Sequence, residues 1–275
     1  MNGYQGLIDT NQDVHSREDE AAQRPSAQNQ NGLAISDQKR VIWITGSKGG
    51  TGKSTCARGL AHTLQVANKD FAAYDGDPEN AQLFRYYNDV GNGVTCIGLK
   101  QRDGVDDILS EMQQAGTPLI LVDVPAGGGE ILVGLEEDIG FFSALSELGY
   151  GLTMVSLLSC SKDSVNQLKR TIEITEGYDV AHVAVKNLFY GTAKEFALFD
   201  DSRTKRRLLE NGGLVIEMRD LLKKTYDRLD KFDFSFQAAL EADCDMLSWP
   251  DARRVKQWTK HFEQQVTSTG GLFGL

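Results

Sequence analysis

The segment from residue 46 to residue 55 contains the residues of this chain that are best suited to chemistry. It reads Gly-Ser-Lys-Gly-Gly-Thr-Gly-Lys-Ser-Thr and fits the pattern G-x-x-x-x-G-K-[ST]. Glycines allow φ values that a side chain would forbid, so successive backbone N–H groups can surround an anion. We therefore predict a phosphate-binding loop, called the P-loop below, in which Lys53 reaches the β- and γ-phosphates and the Ser54 hydroxyl binds Mg²⁺.

The residues on both sides of the P-loop are those that this motif requires. Residues 41–45 are β-branched or aromatic, which is typical of a buried strand, and residues 56–66 read as a helix. An accidental match to the pattern is the alternative interpretation. The order of strand, glycine loop and helix argues against it, because the helix adds its positive N-terminal end to the anion site.

Strand and helix signals alternate from residue 39 onward. The predicted strands are 41–45, 71–75, 94–99, 119–124, 151–157, 180–187 and 214–217. The predicted helices are 53–66, 105–114, 136–148, 161–175, 203–210, 221–231 and 248–266. Most strand segments are almost wholly apolar, as in strands covered on both faces. We predict an α/β fold, with a mostly parallel, twisted sheet of about seven strands flanked by helices on both faces and a ligand beyond the carboxyl ends of the strands.

Composition and charge narrow the function classes. The chain has 275 residues and a net charge of −10, which argues against a passive nucleic-acid coat. Its four cysteines contain no C-x-x-C pair, so neither a zinc site nor a disulfide framework is predicted. No stretch approaches the roughly 20 apolar residues of a membrane span, and the N-terminus lacks the apolar region of a signal peptide. We expect a cytoplasmic protein.

The P-loop also contains an early lysine, and with it the chain resembles a known family. The run K-G-G-T-G-K-S-T from Lys48 to Thr55 resembles the deviant Walker A motif of the ParA/MinD-type ATPases. In that family the early lysine crosses a dimer interface to the phosphates of the opposite subunit, where a cation neutralises developing charge. The resemblance implies ATP and Mg²⁺ as cofactors, a homodimer formed with ATP, and Lys48 and Lys53 as catalytic residues. A solvated loop lysine is the alternative for Lys48. The nucleotide-binding residues that the resemblance implies in this loop are Gly49, Gly50, Thr51, Gly52, Lys53, Ser54 and Thr55.

Two acidic segments resemble the switch segments of the same family. Asp75-Gly-Asp77-Pro resembles switch I, which implies that Asp77 positions or activates the attacking water and that Asp75 lies near the Mg²⁺. An ordinary acidic turn is the alternative. The run from 119 to 127 resembles the Walker B strand and switch II, which implies that Asp123 holds Mg²⁺ through water. Ala126 stands where the family more often has a second proline, so we expect a less rigid loop.

A later asparagine and three further stretches extend the resemblance. Asn187 ends a predicted strand and resembles the asparagine that contacts adenine in this family. Residues 75–81, residues 229–240 and the basic helix from 253 to 262 are similar to conjugal-transfer nucleotide-binding proteins of the TraL type. This similarity implies an accessory ATPase for DNA transfer or a mobile element. We predict a disordered polar tail over residues 1–36 and one P-loop ATPase domain, including the C-terminal helices, over residues 37–275.

The last third of the chain contains basic residues that could contact DNA. They form two clusters, namely Arg203, Lys205, Arg206 and Arg207, and Arg253, Arg254, Lys256 and Lys260. Neighbouring aspartates dilute both clusters, so a solvated helix face is the alternative to non-specific DNA binding. In the last predicted helix, Val255, Trp258, Phe262 and Val266 share one face, which we expect to pack on the sheet; a surface helix for membrane or DNA is the alternative, although we do not expect membrane contact.

Three function classes are compatible with these residues. The first is a dimerising switch that hydrolyses ATP to ADP and phosphate slowly, until a protein activator or cargo adaptor completes the site. Its cargo is conjugation machinery, a segregating plasmid or chromosome, or a membrane or polar assembly. The second class is a non-hydrolysing nucleotide-binding scaffold. The third, a kinase or ligase, ranks last because no lid with clustered arginines is evident.

Overall fold

Seven strands form one sheet in the computed structural model, which describes residues 39–88, 92–243 and 245–275. The tail predicted over residues 1–36 lies outside the described residues. The strands are β1 (Lys39–Gly46), β2 (Phe71–Asp75), β3 (Val94–Cys96), β4 (Leu119–Asp123), β5 (Tyr150–Leu158), β6 (Val180–Asn187) and β7 (Leu214–Met218). Their order is β3-β2-β4-β1-β5-β6-β7, and every neighbouring pair is parallel. The predicted α/β fold is confirmed.

The central strand β1 shows why the sheet is covered on both faces. Ile42 and Ile44 are buried in one apolar cluster, whereas Val41 and Trp43 are buried in another. Successive side chains of a strand point to opposite faces, so an all-apolar strand needs helices on both sides. The nearly continuous apolar run of β1 is therefore a direct consequence of its place at the centre of a two-sided core.

The helices divide between the two faces. They are α1 (Lys53–Val66), α2 (Gln82–Tyr87), α3 (Asp106–Gln114), α4 (Gly128–Ile139), α5 (Phe141–Glu147), α6 (Lys162–Ile174), α7 (Ala197–Asp200), α8 (Arg203–Glu210), α9 (Lys223–Lys231), α10 (Phe236–Glu241) and α11 (Trp249–Thr267). Helices α1, α2 and α9 to α11 contribute to the cluster that contains Ile42, and α3 to α5 contribute to the cluster that contains Trp43. A third cluster joins α6, α7 and α8 to β5 and β6.

The single helix predicted over residues 136–148 is wrong. The structure has two helices there, α4 and α5, separated by Gly140 at φ 61°. Helix α4 also begins at Gly128, before the predicted start at residue 136. The sequence prediction missed this start because consecutive glycines do not favour a helix. Gly128 is helical and packs so closely that an added Cβ would lie 2.7 Å from the Thr45 hydroxyl oxygen. Strand β3 is likewise shorter than the predicted 94–99, since it ends at Cys96.

Helix α11 confirms the prediction for the end of the chain. Val255, Trp258, Phe262 and Val266 are all buried. The rings of Trp258 and Phe262 stack with centroids 5.2 Å apart, and an added Cβ on Gly59 of α1 would lie 2.7 Å from the Phe262 ring. A glycine in α1 thus lets two helices approach closely enough to bury these aromatic rings.

Two further observations concern membrane spans and cysteines in the described part of the chain. No helix within it is long and apolar enough to cross a membrane. Cys56, Cys96 and Cys160 are free thiols.

A buried histidine makes stability depend on pH. His182 of β6 lies with Nε2 2.9 Å from the Thr175 hydroxyl, and burial lowers its pKa to about 4. The unfolded chain, with a pKa near 6.5, then binds more protons below that pH, so stability falls as the pH drops from about 6.5 towards 4. Between pH 7.5 and pH 5 we expect this residue to remove about 2 kcal/mol of the free energy of unfolding.

The measurement is urea unfolding of the wild type and of His182→Gln at both pH values. Glutamine can still bond Thr175 but does not titrate. We expect the variant to lose less stability than the wild type on acidification. Equal losses in the two proteins would contradict the prediction.

Candidate nucleotide-binding site

The carboxyl ends of three neighbouring strands form the floor of a cavity. Asp123 of β4 is in register with Ile44 of β1 on one side and with Asp75 of β2 on the other. The P-loop follows β1 directly, so parallel pairing brings it beside both carboxylates. The cavity has a volume of about 430 Å³, and the predicted site residues all line it except Lys48 and Thr51.

The P-loop backbone depends on two glycines in the left-handed region. Gly50 has φ 79° and Gly52 has φ 93°. An added Cβ on Gly52 would also lie 2.4 Å from the Asn187 amide nitrogen. The carbonyl of Lys48 accepts hydrogen bonds from the Thr51 hydroxyl (3.1 Å) and from the Lys53 ammonium (3.4 Å), so the loop closes on itself.

Lys53 provides a buried cation at the base of the loop. Lys53 is the first residue of helix α1, and it is 8% exposed. Burial lowers the pKa of Lys53, whereas the nearby carboxylates of Asp123 and Asp77 raise it. A cation that has lost most of its hydration interacts strongly with a phosphate placed in the same cavity.

Asp123 provides a buried carboxylate that the protein satisfies only in part. Burial raises its pKa to about 7, while a hydrogen bond from the Ser54 side chain and the charge of Lys53 act in the opposite direction. Its Oδ1 has no hydrogen-bond partner among the described residues. An oxygen of this kind, beside a serine hydroxyl, suits a metal ion or a metal-bound water.

The residues present therefore fit Mg²⁺ bound together with a phosphate. Within the described ranges, no group of three His, Cys, Asp or Glu residues could hold a metal by itself. Mg²⁺ in phosphate sites usually keeps several waters and takes one or two protein ligands plus phosphate oxygens. Ser54 and Asp123 are the residues that would hold it here.

Asp75 has a clear structural task, which its sequence context did not reveal. Its residue is 1% exposed, and its Oδ2 accepts hydrogen bonds from the backbone N–H groups of Leu83 (2.8 Å) and Phe84 (3.1 Å). Its Oδ1 accepts one from the N–H of Asp77 (3.2 Å). Burial raises the pKa of Asp75, and these three donors lower it. The carboxylate thus holds helix α2 and the loop that carries Asp77; a place near the metal stays a prediction.

Lys48 lies outside the cavity of its own chain. Its ammonium is 2.6 Å from Oδ2 of Asp163, near the start of α6, and both side chains are more than half exposed. This pairing raises the pKa of Lys48 and lowers that of Asp163. The geometry leaves this side chain of the P-loop at the surface, where a second molecule could meet it.

Asn187 contacts the P-loop backbone. Its amide nitrogen donates to the carbonyl of Thr51 at 3.0 Å, and its amide oxygen accepts from the N–H of Phe189 at 3.1 Å. The residue is buried and lines the cavity. The predicted contact with adenine stays a prediction, and the bond to Thr51 is a feature that the sequence did not predict.

The sequence also missed one wall of the cavity. This wall comes from the segment after β7, with Arg219, Asp220 and Leu221, and from Tyr226 of α9. The Tyr226 hydroxyl lies 3.4 Å from that of Thr55 and accepts a hydrogen bond from the buried Arg58. The signal that could have found Arg219, Asp220 and Leu221 is their position directly after a parallel strand, where ligands bind in such sheets.

Comparison with known proteins identifies the class. The chain belongs to the family of CobQ/CobB/MinD/ParA nucleotide binding domains, whose family model matches residues 42–267. The predicted ParA/MinD-type relationship is thereby confirmed.

Individual proteins similar to the chain include one curated relative and two solved structures. Protein MobD of Acidithiobacillus ferrooxidans is 24% identical over 203 residues, which cover 74% of this chain and 87% of that protein. The MinD cell division protein of Aquifex aeolicus is 16% identical, with a TM-score of 0.46 over 83% of this chain and 97% of that one. A nucleotide-binding protein from Archaeoglobus fulgidus in complex with ADP is 15% identical, with a TM-score of 0.45 over 83% and 92%.

The geometry of Gly52 predicts a specific loss of nucleotide binding. In Gly52→Ala, both the left-handed φ and the approach to Asn187 become strained. We expect the affinity for ADP and ATP to fall by more than about tenfold, measured by calorimetry.

Gly149→Ala is the matched control. Gly149 has φ 78°, and an added Cβ there would meet nothing within 4 Å. This variant should lose about 1–2 kcal/mol of stability and keep its nucleotide affinity. Equal affinity of Gly52→Ala and the wild type would contradict the prediction.

Proposed function

We propose that this protein is an ATP-dependent molecular switch. ATP with Mg²⁺ closes a homodimer, and hydrolysis to ADP and phosphate reopens it. One observation carries the proposal: the buried Lys53 ammonium, the Ser54 side chain and the unsatisfied oxygen of Asp123 meet in one cavity. A phosphate with a divalent cation would complement all three groups.

The site residues predicted from the sequence have distinct roles in this proposal. The P-loop N–H groups and Lys53 bind the β- and γ-phosphates, and Asn187 lies on the side of the nucleotide base. Ser54 and Asp123 hold Mg²⁺, which when bound neutralises charge on the phosphates. Asp77 accepts a proton or a hydrogen bond from the attacking water. Asp75 supports Asp77 by fixing the backbone on which it lies.

Lys48 supports the dimer part of the proposal. An ion pair between two exposed side chains contributes little to stability, so Asp163 can release the lysine readily. In the closed dimer, Lys48 would exchange this carboxylate for the phosphates bound by the partner subunit. A cation supplied in trans makes the assembled site depend on both chains.

The oligomeric state tests this role of Lys48. We expect the wild type to be a dimer with ATP and Mg²⁺ and a monomer with ADP, as measured by light scattering after size exclusion. Lys48→Ala should lose the ATP dimer or its turnover. Lys69→Ala, which changes an exposed lysine remote from the P-loop, should behave as the wild type. A Lys48→Ala protein with a normal ATP dimer and normal turnover would refute the role in trans.

Asp77→Ala tests the hydrolytic role separately. Asp77 is partly exposed, and it donates to Asp75 through its backbone N–H, which the substitution keeps. The variant should therefore fold and bind ATP. We expect phosphate release to fall by about a hundredfold or more. Release at the wild-type rate would remove Asp77 from catalysis. A wild type that binds ATP but releases no phosphate, with or without an activator, would favour the non-hydrolysing scaffold.

The biological role that we propose is accessory to DNA conjugal transfer or to a mobile element. The TraL-like stretches and the similarity to Protein MobD support it. Segregation of a plasmid or chromosome and positioning of a membrane or polar assembly are the competing roles. In all three, a protein activator or cargo adaptor reads the nucleotide state.

The basic clusters bear on the segregation alternative. In the first cluster, Lys205 pairs with Asp200, and Arg207 pairs with Glu173 and Glu176. In the second, Arg254 pairs with Asp251. These ion pairs favour a solvated face at Lys205, Arg207 and Arg254. ATP-dependent binding to random duplex DNA that weakens steeply with salt would instead favour segregation.

A further inference from the structure

Two side chains at and just after the end of β6 donate to consecutive carbonyl groups of the P-loop. The Tyr190 hydroxyl donates to the carbonyl of Gly50, and the Asn187 amide donates to the carbonyl of Thr51. Tyr190 belongs to no motif that the sequence revealed. It lies 140 positions from Gly50 along the chain, so only the fold brings the two together.

These bonds set the direction of two backbone N–H groups. In a trans peptide, the carbonyl of one residue and the N–H of the next point in opposite directions. The bonds that hold the carbonyls of Gly50 and Thr51 therefore turn the N–H groups of Thr51 and Gly52 away from Tyr190 and Asn187.

Neither N–H group donates to an acceptor among the described residues, although Thr51 is only 4% exposed. A buried N–H without an acceptor is costly unless a ligand supplies one. Gly52 is partly exposed, but its N–H, which also has no acceptor among the described residues, lies next to that of Thr51, and two neighbouring free donors in a glycine loop suit an anion.

The segment that carries Tyr190 is itself held in place. The Asn187 amide oxygen accepts from the N–H of Phe189 and so begins the turn Leu188–Tyr190. The carbonyl of Tyr190 accepts from the Cys160 thiol at 3.4 Å. Asn187 thus connects the P-loop and the Tyr190 turn through the two ends of one amide.

We propose that Tyr190 is a positioning residue for the P-loop, whose hydroxyl acts with the Asn187 amide to aim the N–H groups of Thr51 and Gly52 at the phosphates of the nucleotide. The proposal rests on the proposed function, because it requires a nucleotide at the P-loop. The effect of Tyr190 depends on its hydroxyl rather than on its ring, and it concerns binding of the phosphates rather than of the base.

Tyr190→Phe is the direct test, because it removes the donor and keeps the ring contact with Phe189. We expect calorimetry to show that ADP, ATP and inorganic pyrophosphate, each with Mg²⁺, bind about three- to tenfold more weakly. The melting temperature of the protein without nucleotide should not change, because Tyr190 is 38% exposed and water can replace its hydroxyl.

Tyr178→Phe is the matched control. The Tyr178 hydroxyl donates to Glu136 at 2.7 Å, and the residue is 42% exposed, but it lies outside the cavity. This variant should bind all three ligands as the wild type does.

Three outcomes would overturn the proposal. They are unchanged binding by Tyr190→Phe, whether or not Tyr190→Leu weakens binding, a loss for ADP but not for pyrophosphate, and a loss of affinity together with a lower melting temperature. The variant Lys53→Ala distinguishes failure of the proposed function from failure of the role of Tyr190. If it binds ADP as the wild type does, the nucleotide does not occupy the P-loop and the proposed function fails. If it loses ADP while Tyr190→Phe does not, only the role of Tyr190 fails.

Discussion

Burial of opposite charges at the floor of one cavity is the constraint on which this site depends. Lys53 and Asp123 are both largely removed from water, and burial disfavours the charged form of each. Their mutual attraction and the Ser54 hydrogen bond offset that cost in part, yet one oxygen of Asp123 remains without a partner in the described residues. An anion near the lysine and a cation near the aspartate would offset this cost further, so the proposed nucleotide with Mg²⁺ would complement the charges of the site.

Parallel strand pairing makes this arrangement possible. Register between β1, β4 and β2 brings Asp123 and Asp75 to the same edge of the sheet, next to the loop that follows β1. The two aspartates nevertheless do different work. The oxygens of Asp75 accept hydrogen bonds from three backbone N–H groups and so shape the loop that carries Asp77. One oxygen of Asp123, in contrast, has no hydrogen-bond partner among the described residues. Two carboxylates at equivalent strand ends thus differ in their hydrogen-bond partners, and only Asp123 has a buried oxygen left for a ligand.

Several elements distant in sequence converge on the same loop and helix. Asn187 and Tyr190 contact the P-loop from the end of β6, and Tyr226 of α9 contacts helix α1 at Thr55 and Arg58. The guanidinium of Arg58 in turn lies 3.6 Å from the ring centroid of Tyr86 in α2, the helix that Asp75 holds. The loop that carries Asp77, the P-loop and the wall after β7 are therefore joined by continuous contacts, which suits a site whose loops respond together to a nucleotide.

The sequence by itself determined the P-loop, the alternation of strands and helices, and Asp123 at a strand end. These features depend on local spacing: a glycine loop needs only neighbouring residues, and a two-sided strand such as β1 needs only its own apolar run. Only the tertiary structure decided that β1 lies between β4 and β5, and that Tyr190 and Tyr226 approach the P-loop and α1. The physical reason is that strand order and side-chain contacts join residues far apart in the chain, and their partners exist only once the sheet has assembled.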